Sequence, residues 1–261
     1  MILFYRRGGL GDTLLTFPLL EILKKQGNYI IAIGNTDYLK IAKEVGWVDE
    51  IYSDFYPQIM KRNFIKKIIF SKNSGLPPFP SKRKWMVDYY LELFNFKKEY
   101  SSILPLKYNK NTPFTGKIVI HPGSGSSKKI PPFSLFEKIE NFLIQKGFET
   151  IYLIGEADSW IKKFTNNYWE CLEPLEIAYA LKSAKAYIGL DSGISHLASY
   201  LGIKSYIFYG PTDIITWRPI GVNYKIITLN LKCSPCFPKV CKERKCLDPD
   251  KLFQRFIKIF I

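Results

Sequence analysis

Short apolar runs alternate with helical stripes along most of the chain. Residues 1–5 are a continuous apolar run, which predicts a buried strand. Leu14, Leu15, Leu19, Ile22 and Leu23 follow at helical spacing, and Gly27 stops the stretch. Pro18 within it removes one backbone hydrogen bond and predicts a kink. Residues 29–33 read as a strand and 37–45 as a helix ended by Gly46. Residues 51–52 and 68–70 are short strand segments. A Gly/Pro/Ser loop spans 73–81, and an aromatic-rich helix is expected from about 84 to 94.

The segment 97–116 holds Pro105, Pro113 and several Lys and Asn, and reads as a linker. Beyond it the alternation resumes. Strands are expected at 117–121, 150–154, 187–190, 205–209 and 225–229. Between them, Phe133, Phe136, Ile139, Phe142 and Leu143 share one helical face. A helix is expected after Gly155-Glu156, another runs from Pro174 through Leu181, and a third carries Ile194, Leu197, Ala198 and Leu201 before Gly202. Asp248-Pro249, cap and first position, opens a terminal helix. Strands alternating with helices predict an α/β protein with parallel sheets covered on both faces. The expected domains are 1–113 and 114–261.

Composition places the 261 residues among globular chains, at 47% hydrophobic and 16% aromatic, enough for real cores. No apolar run approaches the ~18 residues of a transmembrane helix. The first seven residues carry their charge after the apolar stretch, unlike a signal peptide, so a cytoplasmic protein is expected. The net charge of +15 fits an anionic partner or a lysine-rich solvated surface. Nucleic acid is not expected, because the aromatics fall on strands and apolar helix faces. Of five cysteines, four cluster at 233, 236, 241 and 246. Their spacing is not that of a zinc ribbon, and metal binding, labile pairing and reduced thiols all stay open.

The chemistry concentrates at strand ends, where parallel sheets bind ligands. Asp191-Ser192-Gly193 joins a strand to a helix, whose free N–H groups and dipole favour phosphate; a simple helix cap is the alternative. His196, one of two histidines, flanks that turn. Ser124 to Lys129 offer hydroxyls, glycine and two ammonium groups, suited to a diphosphate whose charge grows as a bond breaks; a solvated basic loop is the alternative. Gly155-Glu156 and Gly210-Pro211-Thr212 close two further strands. Gly8-Gly9-Leu10-Gly11-Asp12 follows the first strand. It is neither the dinucleotide fingerprint nor a P-loop. It places Asp12 at a helix N-terminus, where the carboxylate is held as the anion that accepts a proton, or merely caps the helix.

Taken together, these stretches resemble glycosyltransferase family 9, the heptosyltransferase family of lipopolysaccharide core assembly. The matching residues are Gly11-Asp12-Thr13-Leu14-Leu15 with Pro18, and His121-Pro122-Gly123 with Lys128 and Pro131. They continue through Asp191-Ser192-Gly193 with His196-Leu197-Ala198, Leu201-Gly202, and Gly210-Pro211-Thr212. The resemblance implies a GT-B fold: two Rossmann-like domains whose parallel sheets face a central cleft, with the terminal helix returning to the N-terminal domain. It implies inverting transfer of heptose from ADP-heptose to a Kdo or heptose acceptor on lipid A, without cofactor or metal. Asp12 would be the general base, with Gly9 and Gly11 in the loop near the acceptor. Ser126, Ser127 and Lys128 would hold the pyrophosphate, with backbone N–H groups of Ser192 and Gly193. Asp191, His196, Gly210 and Thr212 would lie by the donor, and Glu156, with Asp158 as competitor, would meet the ribose. The implied partners are the nucleotide sugar, an anionic lipid-linked saccharide, and the cytoplasmic face of the inner membrane. Two features depart from the family: Ile130 stands where a Trp is usual, and the first half is short.

Overall fold

The computed structural model describes residues 1–73, 75–107, 111–239 and 241–260, and of residues 156 and 157 the backbone only. Two parallel sheets form. The first contains β1 (Ile2–Arg6), β2 (Ile30–Ile33), β3 (Glu50–Tyr52) and β4 (Lys66–Phe70), in the order β3-β2-β1-β4. The second contains β5 (Ile118–His121), β6 (Thr150–Ile154), β7 (Tyr168–Glu170), β8 (Ala186–Leu190), β9 (Ser205–Phe208) and β10 (Tyr224–Ile227), in the order β10-β9-β8-β5-β6-β7. Strands β2, β5, β6, β8 and β9 are buried at every position, as strands covered on both faces must be.

The helices of the first half are α1 (Leu10–Leu14), α2 (Phe17–Lys25), α3 (Thr36–Glu44), α4 (Pro57–Met60) and α5 (Met86–Glu92). The kink expected at Pro18 is a full break. α1 ends at Leu14 and α2 restarts with Pro18 in its first turn, where no backbone donor is required. Thr16 steadies the junction by donating its hydroxyl to the Thr13 carbonyl at 2.7 Å.

The second half adds α6 (Ser134–Gln145), α7 (Pro174–Leu181), α8 (Gly193–Tyr200), α9 (Ile214–Trp217) and α10 (Pro249–Phe260). The segment after Gly155 is a 3-10 helix over Glu156–Lys163, not an α-helix. α10 stays with the second half and does not return to the first. Its apolar stripe buries Leu252 and Phe256 against α6 and the sheet, with Phe256 ring centroids 6.1 Å from Phe142 and 5.7 Å from Tyr206.

One core cluster runs from the first sheet, through Ile2 and Phe4, to Val119, Leu153 and Tyr187 of the second. α1 packs on α8 and α3 on α7. Glycine makes the first contact possible. A Cβ on Gly193 would sit 2.7 Å from Leu10 Cβ, and one on Gly11 would sit 3.1 Å from the His196 ring. The linker is fastened rather than loose: Leu104 is buried and donates its N–H to Tyr200 at 2.7 Å. Residues 108–110 lie outside the described set.

Candidate active site

Strand order reverses between β1 and β4 in the first sheet and between β5 and β8 in the second. Ligand crevices form at such points, beyond the carboxyl ends of the strands. β1 delivers Gly8 to Asp12, β5 delivers residues 122–126, and β8 delivers Asp191. All three open into one cleft of about 790 Å³.

Asp12 reaches the cleft wall from the first turn of α1, its side chain 26% exposed. Oδ2 accepts the Gly9 N–H at 3.0 Å, and Oδ1 meets Arg6 Nη2 at 3.3 Å. The helix-cap reading is therefore true of Asp12, yet each oxygen keeps a lone pair for a ligand. A buried Arg6 stands behind it, its Nε donating to Tyr90 Oη at 3.3 Å. Burial pushes the Tyr90 hydroxyl up to about 12.

Across the cleft, Ser192 caps α8 by accepting the Ser195 N–H at 3.3 Å, the bond that the helix-cap reading expects. Asp191, buried, pairs with Lys129 Nζ at 2.7 Å. Burial holds the His196 imidazole neutral, pushing its pKa down to about 4 although Asp191 and Asp12 pull the other way. His196 Nδ1 and Thr212 Oγ1 are buried beside the cleft without hydrogen-bond partners among the described residues, and both residues line it. Ser126, Gly193, Gly9 and Gly11 line it as well.

Three expected site residues lie elsewhere. Lys128 turns away and donates its ammonium to the Pro238 carbonyl at 2.8 Å, while the next residue, Lys129, points inward. The 3-10 turn Ser127–Lys129 explains this, because successive residues of so tight a turn diverge by about a third of a turn. Ser127 lies outside the cleft lining, and its carbonyl accepts Arg244 Nη2 at 3.2 Å. Gly210 packs beneath the site: a Cβ there would sit 2.5 Å from Leu247 Cδ2. The Glu156 side chain lies outside the described set. Its competitor Asp158 is committed, with Oδ2 2.9 Å from His121 Nε2 and both residues buried.

That pair supports the β5 loop from below. The other nitrogen of His121 meets Tyr187 Oη at 3.2 Å, which meets Ser195 Oγ at 3.0 Å on α8. Ser124 Oγ donates to the Asp191 carbonyl at 2.7 Å, tying the β5 loop to the β8 turn. Residue spacing gives no sign of a contact across 37 positions; the only hint is that His121 ends a buried strand, where an imidazole requires a partner. Among the described residues, no group of three or more His, Cys, Asp or Glu is arranged to hold a metal ion. All five cysteines are free; Cys233 and Cys241 are exposed and Cys246 is buried.

Solved structures share this architecture. E. coli heptosyltransferase WaaC with ADP matches at TM-score 0.69 and 16% identity, covering 100% of this chain and 99% of that one. E. coli ADP-heptose lps heptosyltransferase II matches at TM-score 0.71 and 14% identity, covering 99% and 98%. The fold is thus GT-B, two parallel sheets meeting at a cleft. Residues 83–247 match the family model "Glycosyltransferase family 9 (heptosyltransferase)", and the chain belongs to that family. Lipooligosaccharide heptosyltransferase 2 of Campylobacter jejuni is 34% identical over 186 residues, 63% of this chain and 56% of that protein. The chain spans little more than half the length of that curated relative in the match. No helix among the described residues is long and apolar enough to cross a membrane.

Proposed function

We propose that the protein is an inverting glycosyltransferase that moves a heptose from ADP-heptose to a Kdo or heptose acceptor on lipid A. The observation that carries this is the opposition of Asp12 on one wall of the cleft to the Lys129, Ser126 and Ser192–Gly193 constellation on the other. In this reading the acceptor hydroxyl gives its proton to an Asp12 oxygen as its own oxygen attacks the anomeric carbon. The bond from that carbon to the diphosphate breaks on the opposite face, and ADP departs with the electron pair. Lys129 and the free N–H groups at the start of α8 receive the growing negative charge. Arg6 and Gly9 fix the rotamer of Asp12, so that the base is oriented before the acceptor arrives. Family membership and the similarity to a structure holding ADP-2-deoxy-2-fluoro heptose support the choice of donor. The donor occupies the cleft as substrate, and an anionic saccharide suits the positive charge of the chain.

The test is direct. Purified protein is incubated with ADP-heptose and de-O-acylated Kdo–lipid A, and ADP release and the saccharide mass are followed together. ADP release with a matching gain of one heptose on the saccharide is expected. No binding of any nucleotide sugar in a calorimetric panel would show that the cleft does not serve this reaction. Binding without transfer or hydrolysis would instead favour a non-catalytic nucleotide-binding protein.

A further inference from the structure

An aromatic pair at the Asp12 end of the cleft has no part in the reading above. Phe79, from the loop between β4 and α5, meets Trp217, the last residue of α9, edge to face at 5.7 Å. Both line the cleft, and Phe79 is 39% exposed. The pair is built from both halves of the chain and is held in place on each side. Arg83 grips Asp213 with a two-point ion pair at 2.6–2.9 Å. Trp85 donates its indole N–H to the Arg218 carbonyl at 2.8 Å, and the Arg218 guanidinium lies 4.3 Å from its ring centroid. Tyr89 donates its hydroxyl to Pro77 at 2.7 Å, two residues before Phe79. Its position relative to the base is also fixed. The Arg6 guanidinium lies 5.2 Å from the Phe79 ring centroid and 3.3 Å from Asp12, so one side chain separates the aromatic surface from the carboxylate.

An exposed, immobilised aromatic surface inside a ligand cleft supplies apolar area at little cost in ordering. The C–H face of a pyranose ring is its natural complement. A nucleobase has the same affinity for aromatic faces, but the proton acceptor must stand beside the hydroxyl that attacks. Aromatic area adjoining Asp12 therefore faces the acceptor rather than the nucleotide. We infer that Phe79 and Trp217 form the acceptor-sugar platform, packing against the ring that carries the attacking hydroxyl and setting its distance from Asp12. The inference rests on the transferase reading above and names residues that decide which acceptor is used.

The experiment measures acceptor and donor parameters separately in Phe79→Ala, Trp217→Ala and the conservative Phe79→Tyr. Acceptor KM for de-O-acylated Kdo–lipid A should rise tenfold or more in both alanine variants. Donor Kd by calorimetry should stay within twofold, and Phe79→Tyr should stay within threefold of the parent in both. A second measurement does not depend on turnover. Acceptor added without donor should change the tryptophan fluorescence of the parent and leave that of Trp217→Phe unchanged, with an unaltered circular dichroism spectrum showing that the variant is folded. An acceptor KM within twofold in both alanine variants, or a fluorescence change that persists in Trp217→Phe, would overturn the platform. A failure of the parent protein to bind any nucleotide sugar would instead overturn the transferase reading on which it rests.

Discussion

Gly123→Ala probes the support beneath the β5–β8 wall of the cleft. Gly123 has a backbone that alanine also adopts, since it is not among the positive-φ glycines. The obstacle is steric. A Cβ there would lie 1.9 Å from Asp158 Oδ1, 2.2 Å from Cγ and 2.3 Å from Oδ2. Ordinary contact would require the carboxylate to retreat by more than about 1 Å, which takes its 2.9 Å bond to His121 beyond hydrogen-bonding range. Losing a buried hydrogen bond to a carboxylate costs about 1.5–3 kcal/mol. If the backbone yields instead, overpacking costs about 1–3 kcal/mol. The expected loss is therefore roughly 2 kcal/mol, or a melting point lower by roughly 4–8 °C for a chain of this size. Denaturant unfolding should be followed in four proteins: the parent, Gly123→Ala, Asp158→Ala and the double variant. In the Asp158→Ala background the carboxylate is gone, and the glycine substitution should cost less than about 0.5 kcal/mol. An equal cost in both backgrounds would refute the steric account.

Three other outcomes follow from the site. Lys129→Met should weaken ADP binding roughly tenfold to a hundredfold, because a charge-assisted contact of about 1.5–3 kcal/mol is lost; Lys128→Met should change it less than threefold, and calorimetry showing the reverse order would return the phosphate role to Lys128. His196 should make stability pH-dependent in a defined direction. Its folded pKa of about 4 lies below the ordinary 6.5, so the unfolded chain takes up the proton first as pH falls. Stability is complete above pH 6.5 and drops by about 3 kcal/mol on the way to pH 4, a loss that His196→Asn should not show in urea titrations across that range.

Much of this architecture is written in local patterns. Strand runs such as 150–154 and helix stripes such as Phe136, Ile139 and Leu143 need only the hydrophobic period to be recognised. Glycines and small polar residues at the ends of β1, β5 and β8 mark the cleft for the same reason, since any ligand at a strand end needs close backbone approach. Direction is harder to read than position. Lys128 and Lys129 are chemically identical neighbours, and only the turn that holds them decides which ammonium enters the cleft. Long-range partners are harder still. Asp158, the alternative ribose ligand, lines the cleft, and its bond to His121 cannot be read from the spacing. Phe79 sits in a proline-rich loop with no periodicity, so its place beside Arg6 depends on the whole first sheet and on the Arg83–Asp213 grip. Asp248-Pro249 marks the start of the terminal helix but not its destination, which contacts with Phe142 of α6 decide.

The central claim is that Asp12 takes the acceptor proton while the opposite wall holds the donor. The most direct measurement compares Asp12→Asn with the parent for both transfer rate and ADP affinity. Asparagine keeps the shape and an oxygen for the Gly9 N–H but cannot accept the proton. Transfer should fall by at least the 10²–10⁴-fold typical of a lost general base, with ADP affinity within about threefold of the parent. Transfer at a near-parental rate by the folded Asp12→Asn protein would contradict the claim.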